Sequence, residues 1–317
     1  MRVVDQINKS EKTLFSIEIV PPLKGHDINR IYNIVDPLIE YNPSFINVTY
    51  HKDEVLYKNL SDGSIEKRTI RKRPGTVALS AALKNKYNIN VVSHLTCGGF
   101  TKNETENALI DLSFLGIDNL FVIRGDAGPN EKSFTPEDGG HAHAIDLVKQ
   151  IKNMNNGKYL YDELEDSMHT NFSIGVAGYP EKHAEAPNIE TDLEYLKQKV
   201  DAGADYIITQ MFFDNEKYFQ FVEFCRKKGI NVPIIPGLKP IALLNQVNVL
   251  PRIFHIELPE ALVKEVNKCK SNKEVTQVGI EWTINQSKEL IKHNVPVLHY
   301  YTLGAGKGIQ KIVKALF

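Results

Sequence analysis

Apolar residues in this chain gather in short unbroken runs instead of alternating with polar ones, which is the pattern of parallel strands buried on both faces. Eight such runs stand out, at 15–20 (FSIEIV), 45–50 (FINVTY), 90–96 (NVVSHLT), 119–125 (NLFVIRG), 172–179 (FSIGVAGY), 206–213 (YIITQMFF), 232–238 (VPIIPGL) and 295–303 (VPVLHYYTL). Between them apolar positions recur at helical spacing, predicting helices over 28–40, 73–86, 102–115, 141–153, 189–202 and 215–228. The last interval carries helices at 242–254, 259–269 and 273–293, and a final helix over 306–317 follows the eighth strand.

Eight strand–helix units in one chain predict the α/β class and a (β/α)8 TIM barrel, a fold of about 250 residues whose extra length goes into loops. The rival is a doubly wound sheet, which usually marks dinucleotide binding with G-x-G-x-x-G after its first strand. Here the first strand runs into VPPLKG, and no such fingerprint occurs in the chain. Surplus length falls at 51–72, 126–140, 153–171 and 255–271, none rich enough in Gly, Ser or Pro to be an interdomain linker. The expectation is one domain over 1–317, without internal repeats.

Composition acts mainly by exclusion. With 42% hydrophobic and 24% charged residues the chain is an ordinary globular protein, which rules out disorder, collagen and a disulfide scaffold. Thirty-eight basic against thirty-nine acidic residues build in no global attraction to nucleic acid or an anionic membrane. Cys97, Cys225 and Cys269 stand far apart, with no C-x-x-C and no histidine at ligand spacing, and read as reduced thiols with no metal site. MRVVDQINKSEK has no apolar signal region, and no window approaches the roughly 18 apolar residues of a membrane span. A cytoplasmic location is expected.

A barrel interior packs branched apolar side chains, so polar residues at the carboxyl ends of strands point to the mouth where barrels hold their sites. Glu18, Thr49, His94 with Thr96, Arg124 with Asp126, Tyr179 with His183, Gln210, and Tyr300 with Tyr301 all fall there. Any one alone is better explained structurally, but the same feature recurs at the same end of strand after strand. Glu18 is the strongest case, since a carboxyl between Ile17 and Ile19 is costly to bury charged. Burial favours its neutral form, as a general acid working near neutrality requires. The alternative is a buried ion pair with Arg124 or a lysine. Arg124-Gly125-Asp126 spells an adhesion tripeptide but ends an apolar strand. Lys67, Arg68, Arg71, Lys72 and Arg73 read as a solvated loop and helix start. Gly304-Ala305-Gly306-Lys307-Gly308, before the last helix, offers backbone N–H groups to an anion without forming a Walker motif.

Read together, FSIEIVPP, FINVTY, SHLTC, FVIRGDAG, VAGYPEKHAEAPN, DLEYLKQKVDAGADYIITQMFFD, IIPGLKP and LHYYTL resemble the methylenetetrahydrofolate reductase family over nearly the whole chain. The resemblance implies a barrel holding FAD non-covalently at its mouth. NADH or NADPH reduces the flavin, which passes hydride in a ping-pong sequence to 5,10-methylenetetrahydrofolate, giving 5-methyltetrahydrofolate and methyl groups for methionine synthesis. By position, Glu18 matches the acid that opens the folate imidazolidine ring, and Asp126 the carboxylate beside flavin and folate. Thr49, His94, Arg124, Gly125 and Asp126 match cofactor positions of the second to fourth strands. Tyr179, His183, Ala186, Asp192 and Lys199 match those of the fifth strand and the helix after it, toward ribose and pyrophosphate, and Ala144, just before Ile-Asp-Leu-Val, matches a further cofactor position. Gln210 matches the pterin-binding amide, and Gln246 and Tyr301 further substrate contacts. The chain departs from the pattern at His51, at His143, at Gly304-Ala305 with Lys307 beyond, and in an insertion over 153–171 at the opposite face.

The family analogy also implies a homo-oligomer. Only one helix follows the eighth strand, so the regulatory domain with which eukaryotic relatives sense S-adenosylmethionine is not expected, nor inhibition by that compound. Two other readings remain: another flavin-bearing barrel oxidoreductase, similar to proline dehydrogenase, and a catalytically silent folate-binding barrel.

Overall fold

The computed structural model describes residues 1–128, 131, 133–161, 163–302 and 306–317. The eight apolar runs become β1 (Leu14–Ile19), β2 (Phe45–Val48), β5 (Asn90–Thr96), β6 (Asn119–Ile123), β7 (Ser173–Gly178), β8 (Tyr206–Met211), β9 (Ile234–Leu238) and β10 (Val297–Tyr301). They close in the order β1-β10-β9-β8-β7-β6-β5-β2, every neighbouring pair parallel. This is the expected (β/α)8 barrel. Its outer helices are α2 (Asn29–Ile39), α3 (Thr76–Tyr87), α4 (Lys102–Phe114), α5 (Ala144–Asn155), α6 (Ile189–Asp201), α7 (Asn215–Lys227), α10 (Asn272–Lys292) and α11 (Gly306–Leu316), with α8 (Gln246–Phe254) and α9 (Glu260–Lys268) inserted after β9.

Strand register sorts residues by parity. Glu18 lies opposite Tyr301 on one side and Asn47 on the other, and His299 lies opposite Gly237, so these share the interior. Phe45, Val92, Phe121, Tyr206, Ile208, Ile235 and Val297 fill that interior, while the larger apolar cluster lies between strands and outer helices. Two elements were not read from the sequence. α1 (Val3–Lys9) sends Val3 and Ile7 into the interior cluster from the amino-terminal side, where Asn119 Oδ1 accepts Val3 N at 2.7 Å. The stretch 51–72 is no plain loop, since β3 (Glu54–Asn59) and β4 (Ile65–Ile70) pair as an exposed antiparallel hairpin.

That hairpin corrects one reading. The basic cluster lies along β4 and the turn after it, and α3 begins only at Thr76, beyond the cluster. Arg68 pairs with Glu66, Arg71 with Asp53 and Lys72 with Glu54, so much of its charge is neutralised locally. Gly304 and Ala305 lie outside the described residues, and Lys307 is exposed on the first turn of α11.

Candidate functional site

Parity brings the polar strand ends together at one mouth. A cavity of about 460 Å³ opens there, with Glu18, Thr49, His94, Asp126, Gln210 and Tyr301 among its walls. Glu18 forms part of its floor and is nearly buried, at 9% exposure. Its Oε2 lies 3.5 Å from His94 Nε2 and 3.7 Å from His299 Nε2. An ion pair with Arg124 or a lysine is therefore not what holds it, for Arg124 is engaged elsewhere and the charged-capable neighbours of Glu18 are imidazoles. Burial pushes His94 down to about 4, against the pull of Glu18, so its ring is neutral near pH 7.

Each remaining wall residue has a local reason for its pose. Tyr301 donates its hydroxyl to Thr209 O at 2.7 Å, and burial raises its pKa well above 10. Its ring lies over Gly237, where a Cβ would sit 2.7 Å from Tyr301 Cε2, so only glycine admits it. Tyr300, of opposite parity, points away and meets Ser287 Oγ at 2.9 Å. Gln210 Oε1 accepts Met211 N at 2.9 Å, which leaves its NH2 group without a partner among the described residues. Thr49 Oγ1 is buried and has no hydrogen-bond partner among the described residues. Gly125, at φ +88°, turns the chain after β6 in a conformation L side chains rarely adopt and so positions Asp126.

A second cavity of about 410 Å³ continues outward between β6, β7 and the helices that follow them. The two share a wall of Ile123, Arg124, Ala177, Tyr179 and His183. Arg124 grips Glu185 with both terminal nitrogens, at 2.6 and 2.7 Å, which raises its pKa. Asp192 Oδ2 accepts His183 N at 2.9 Å, tying α6 to the loop after β7. Lys199 donates to Ala177 O at 3.0 Å, and desolvation lowers its pKa to about 8 despite Asp192. Ala144, Ala186, Asp192 and Lys199 all line this chamber.

All but one of the residues matched to the family by position thus line one continuous cleft. Gln246 is the exception, because its Oε1 accepts Ala242 N at 2.7 Å and Leu243 N at 3.1 Å, bracing the turn before α8. From α8 it is Phe254 that reaches the first cavity. Sequence reading also passed over Ser16, Asn47 and His299 beneath Glu18. Counting back by two from Tyr301 and Glu18 along their strands finds His299 and Ser16.

A closed parallel barrel with a polar cleft at the carboxyl ends of its strands, floored by an acid and extended by a second chamber of mixed charge, is a TIM-barrel protein with its candidate site where such barrels carry theirs. The chain belongs to the methylenetetrahydrofolate reductase family, whose sequence model it matches over residues 3–317. It is 31% identical to methylenetetrahydrofolate reductase (NADH) 1 of Arabidopsis thaliana, over 100% of this chain and 51% of that protein. It is 30% identical to the 5,10-methylenetetrahydrofolate reductase of Escherichia coli K12, over 91% of this chain and 85% of that one. The chain spans about half the length of the plant relative. Among solved structures, a Clostridium thermocellum protein described as binding two copies of 5-methyl-5,6,7,8-tetrahydrofolic acid shares the fold, with a TM-score of 0.59 at 14% identity over 98% of both chains.

Proposed function

We propose that this chain reduces 5,10-methylenetetrahydrofolate to 5-methyltetrahydrofolate with hydride from NADH or NADPH carried by non-covalently bound FAD, a source of methyl groups for methionine synthesis. One observation carries the reading: an acid, a second carboxylate and an amide whose NH2 group has no partner among the described residues, Glu18, Asp126 and Gln210, line a single cavity that continues into a second chamber of mixed charge. Family membership supports the same reaction.

The donor set fits FAD. Arg124, paired with Glu185, and Lys199, beside Asp192, stand with the N–H groups of the His183 loop where a diphosphate would be held, in exchange for Glu185 in the case of Arg124. Buried Thr49 Oγ1 is a polar atom without a partner among the described residues in the wall of the first cavity. The two chambers together suit a ligand with two ends. When bound, FAD supplies acceptance of a hydride from nicotinamide and its delivery to the folate. The protein's own residues do the rest. Glu18 holds the proton that the departing folate nitrogen must receive when the imidazolidine ring opens, directly or through one water. Asp126 places a negative charge beside the cation so formed and stabilises it. Gln210 turns two N–H donors toward the pterin. The aromatic faces of Tyr301 and Phe254 limit water at the reacting centre.

The test is a pair of half-reactions. Purified protein loaded with FAD is yellow, bleaches with NADH or NADPH under anaerobic conditions, and regains colour with methylenetetrahydrofolate. Bleaching without recovery points to an oxidoreductase with another substrate, and failure to hold flavin points to a silent barrel.

A further inference from the structure

Glu18 stands over side chains that the proposed reaction has not yet used, among them an imidazole with a free nitrogen. His299 is fully buried, with the Phe45 ring stacked 6.1 Å away and the Tyr301 ring edge-on at 5.2 Å. Its Nδ1 is 2.8 Å from Ser16 Oγ, while its Nε2 has no hydrogen-bond partner among the described residues and lies 3.7 Å from Glu18 Oε2.

Counting hydrogens assigns the tautomer. Ser16 is 0% exposed, and His299 Nδ1 is the partner of its hydroxyl among the described residues, so the hydroxyl proton goes to Nδ1. A neutral imidazole that accepts at Nδ1 carries its proton on Nε2. His94 Nε2 stands 3.1 Å from the Asn47 side-chain amide, whose Nδ2 as placed donates to it and whose Oδ1 is without a partner among the described residues. With the Asn47 amide so placed, His94 Nε2 is occupied as an acceptor, and the ring with an N–H left for Glu18 Oε2 is His299.

We propose that His299, oriented by Ser16, is the positioning residue for the acid Glu18, its Nε2–H stabilising the carboxylate that remains after proton transfer. The O–H bond of Glu18 breaks and an N–H bond forms on the folate, while His299 keeps its own proton. The titratable groups facing Glu18 are His94 from β5, His299 and Tyr301 from β10, and His51 from the segment after β2. Burial holds His94, His51 and Tyr301 toward their neutral forms, so no fixed cation stands against the carboxylate. A polarised N–H below it is then the local means of stabilising the charge while the other oxygen serves the cavity.

This rests on Glu18 being the acid of the proposed reaction, and two measurements separate the claims. In flavin-free protein carrying 15N-histidine, NMR should find His299 protonated at Nε2, and Ser16→Ala should mix the tautomers. In FAD-loaded protein, the alkaline limb of the pH–rate profile for reoxidation by methylenetetrahydrofolate should move up by about one pH unit in His299→Phe, equal to about tenfold in the proton equilibrium. Ser16→Ala, which leaves the ring in place, should move it the same way by less. The sign follows from losing a donor that favours the charged form. A wild-type His299 protonated at Nδ1 overturns the proposal, as does an unmoved limb accompanied only by a lower melting temperature. If wild-type protein shows no folate-dependent reoxidation at any pH, the function itself fails and the role of His299 with it.

Discussion

In the proposed reaction, hydride transfer from nicotinamide to flavin asks nothing of a protein acid, whereas ring opening of the folate needs a proton at the departing nitrogen, and a substitution at Glu18 tests whether the two demands separate there. Glu18→Gln keeps the shape of the side chain and the contacts of its carbonyl oxygen but has no acidic proton. The variant should bind FAD, be reduced by nicotinamide at close to the normal rate, and lose folate reduction by about 10²–10⁴-fold, the usual scale of general acid catalysis. Stopped-flow measurement of both half-reactions decides, and full folate turnover would remove Glu18 from the chemistry. Gln210 makes a binding prediction instead. Its carbonyl is committed to Met211 N, so only its NH2 group is left to meet a ligand. Gln210→Ala should weaken folate binding by about 1–3 kcal/mol, the cost of leaving a buried polar partner unpaired. An unchanged folate dissociation constant would place the pterin elsewhere.

Long elements with a buried face were legible in the sequence, and exposed or very short ones were not. The eight strands emerge within a few residues of the apolar runs that announced them, because a strand covered on both sides cannot carry many polar groups. β3 and β4 escaped because no residue of either strand is buried, so no burial pattern marks the hairpin. α1 escaped for a different reason: seven residues, VVDQINK, present only Val3, Val4 and Ile7 to the interior, too short a stretch for periodicity to stand out. At the cleft, polar strand ends were visible because they break an apolar run. His299 stayed hidden because it sits one layer deeper, where a polar residue reads as core. α1 yields its own prediction. Asn119 binds both Val3 N, at 2.7 Å, and Met1 O, at 3.2 Å, and so pins the helix across the barrel floor. Asn119→Ala should cost about 1–3 kcal/mol and expose the first residues to protease. A melting temperature and cleavage pattern equal to those of the parent would show that apolar packing of Val3 and Ile7 suffices.

For the whole molecule, buried titratable groups set opposed dependences of stability on pH. His94 has a folded pKa near 4 against an ordinary 6.5, so between those values the unfolded chain binds a proton that the folded one refuses. Its contribution is intact above about 6.5 and is lost as pH falls toward 4. His51 and His183 are displaced in the same direction, chiefly by burial. Glu181 runs the other way. Burial raises it to about 7, although its Oε2 accepts Glu257 N at 3.0 Å and so ties the loop after β7 to the segment between α8 and α9. A carboxyl whose folded pKa lies above its unfolded one stabilises fully below about 4.5, and that contribution fades as pH rises through 7. Across the shared window from about 4.5 to 6.5 the two effects partly cancel, so the parent protein should lose stability only gently on acidification. Removing either partner should tilt the balance. Glu181→Gln should make the acid-side fall steeper, by at most about 1.4 kcal/mol per pH unit and by less given solvent screening of a half-buried group. His94→Gln should make it shallower by a comparable amount. Chemical denaturation at several pH values on the three proteins measures these slopes directly. Identical slopes in all three would mean that neither group changes its proton affinity on folding, and that acid sensitivity must be sought among the surface carboxylates.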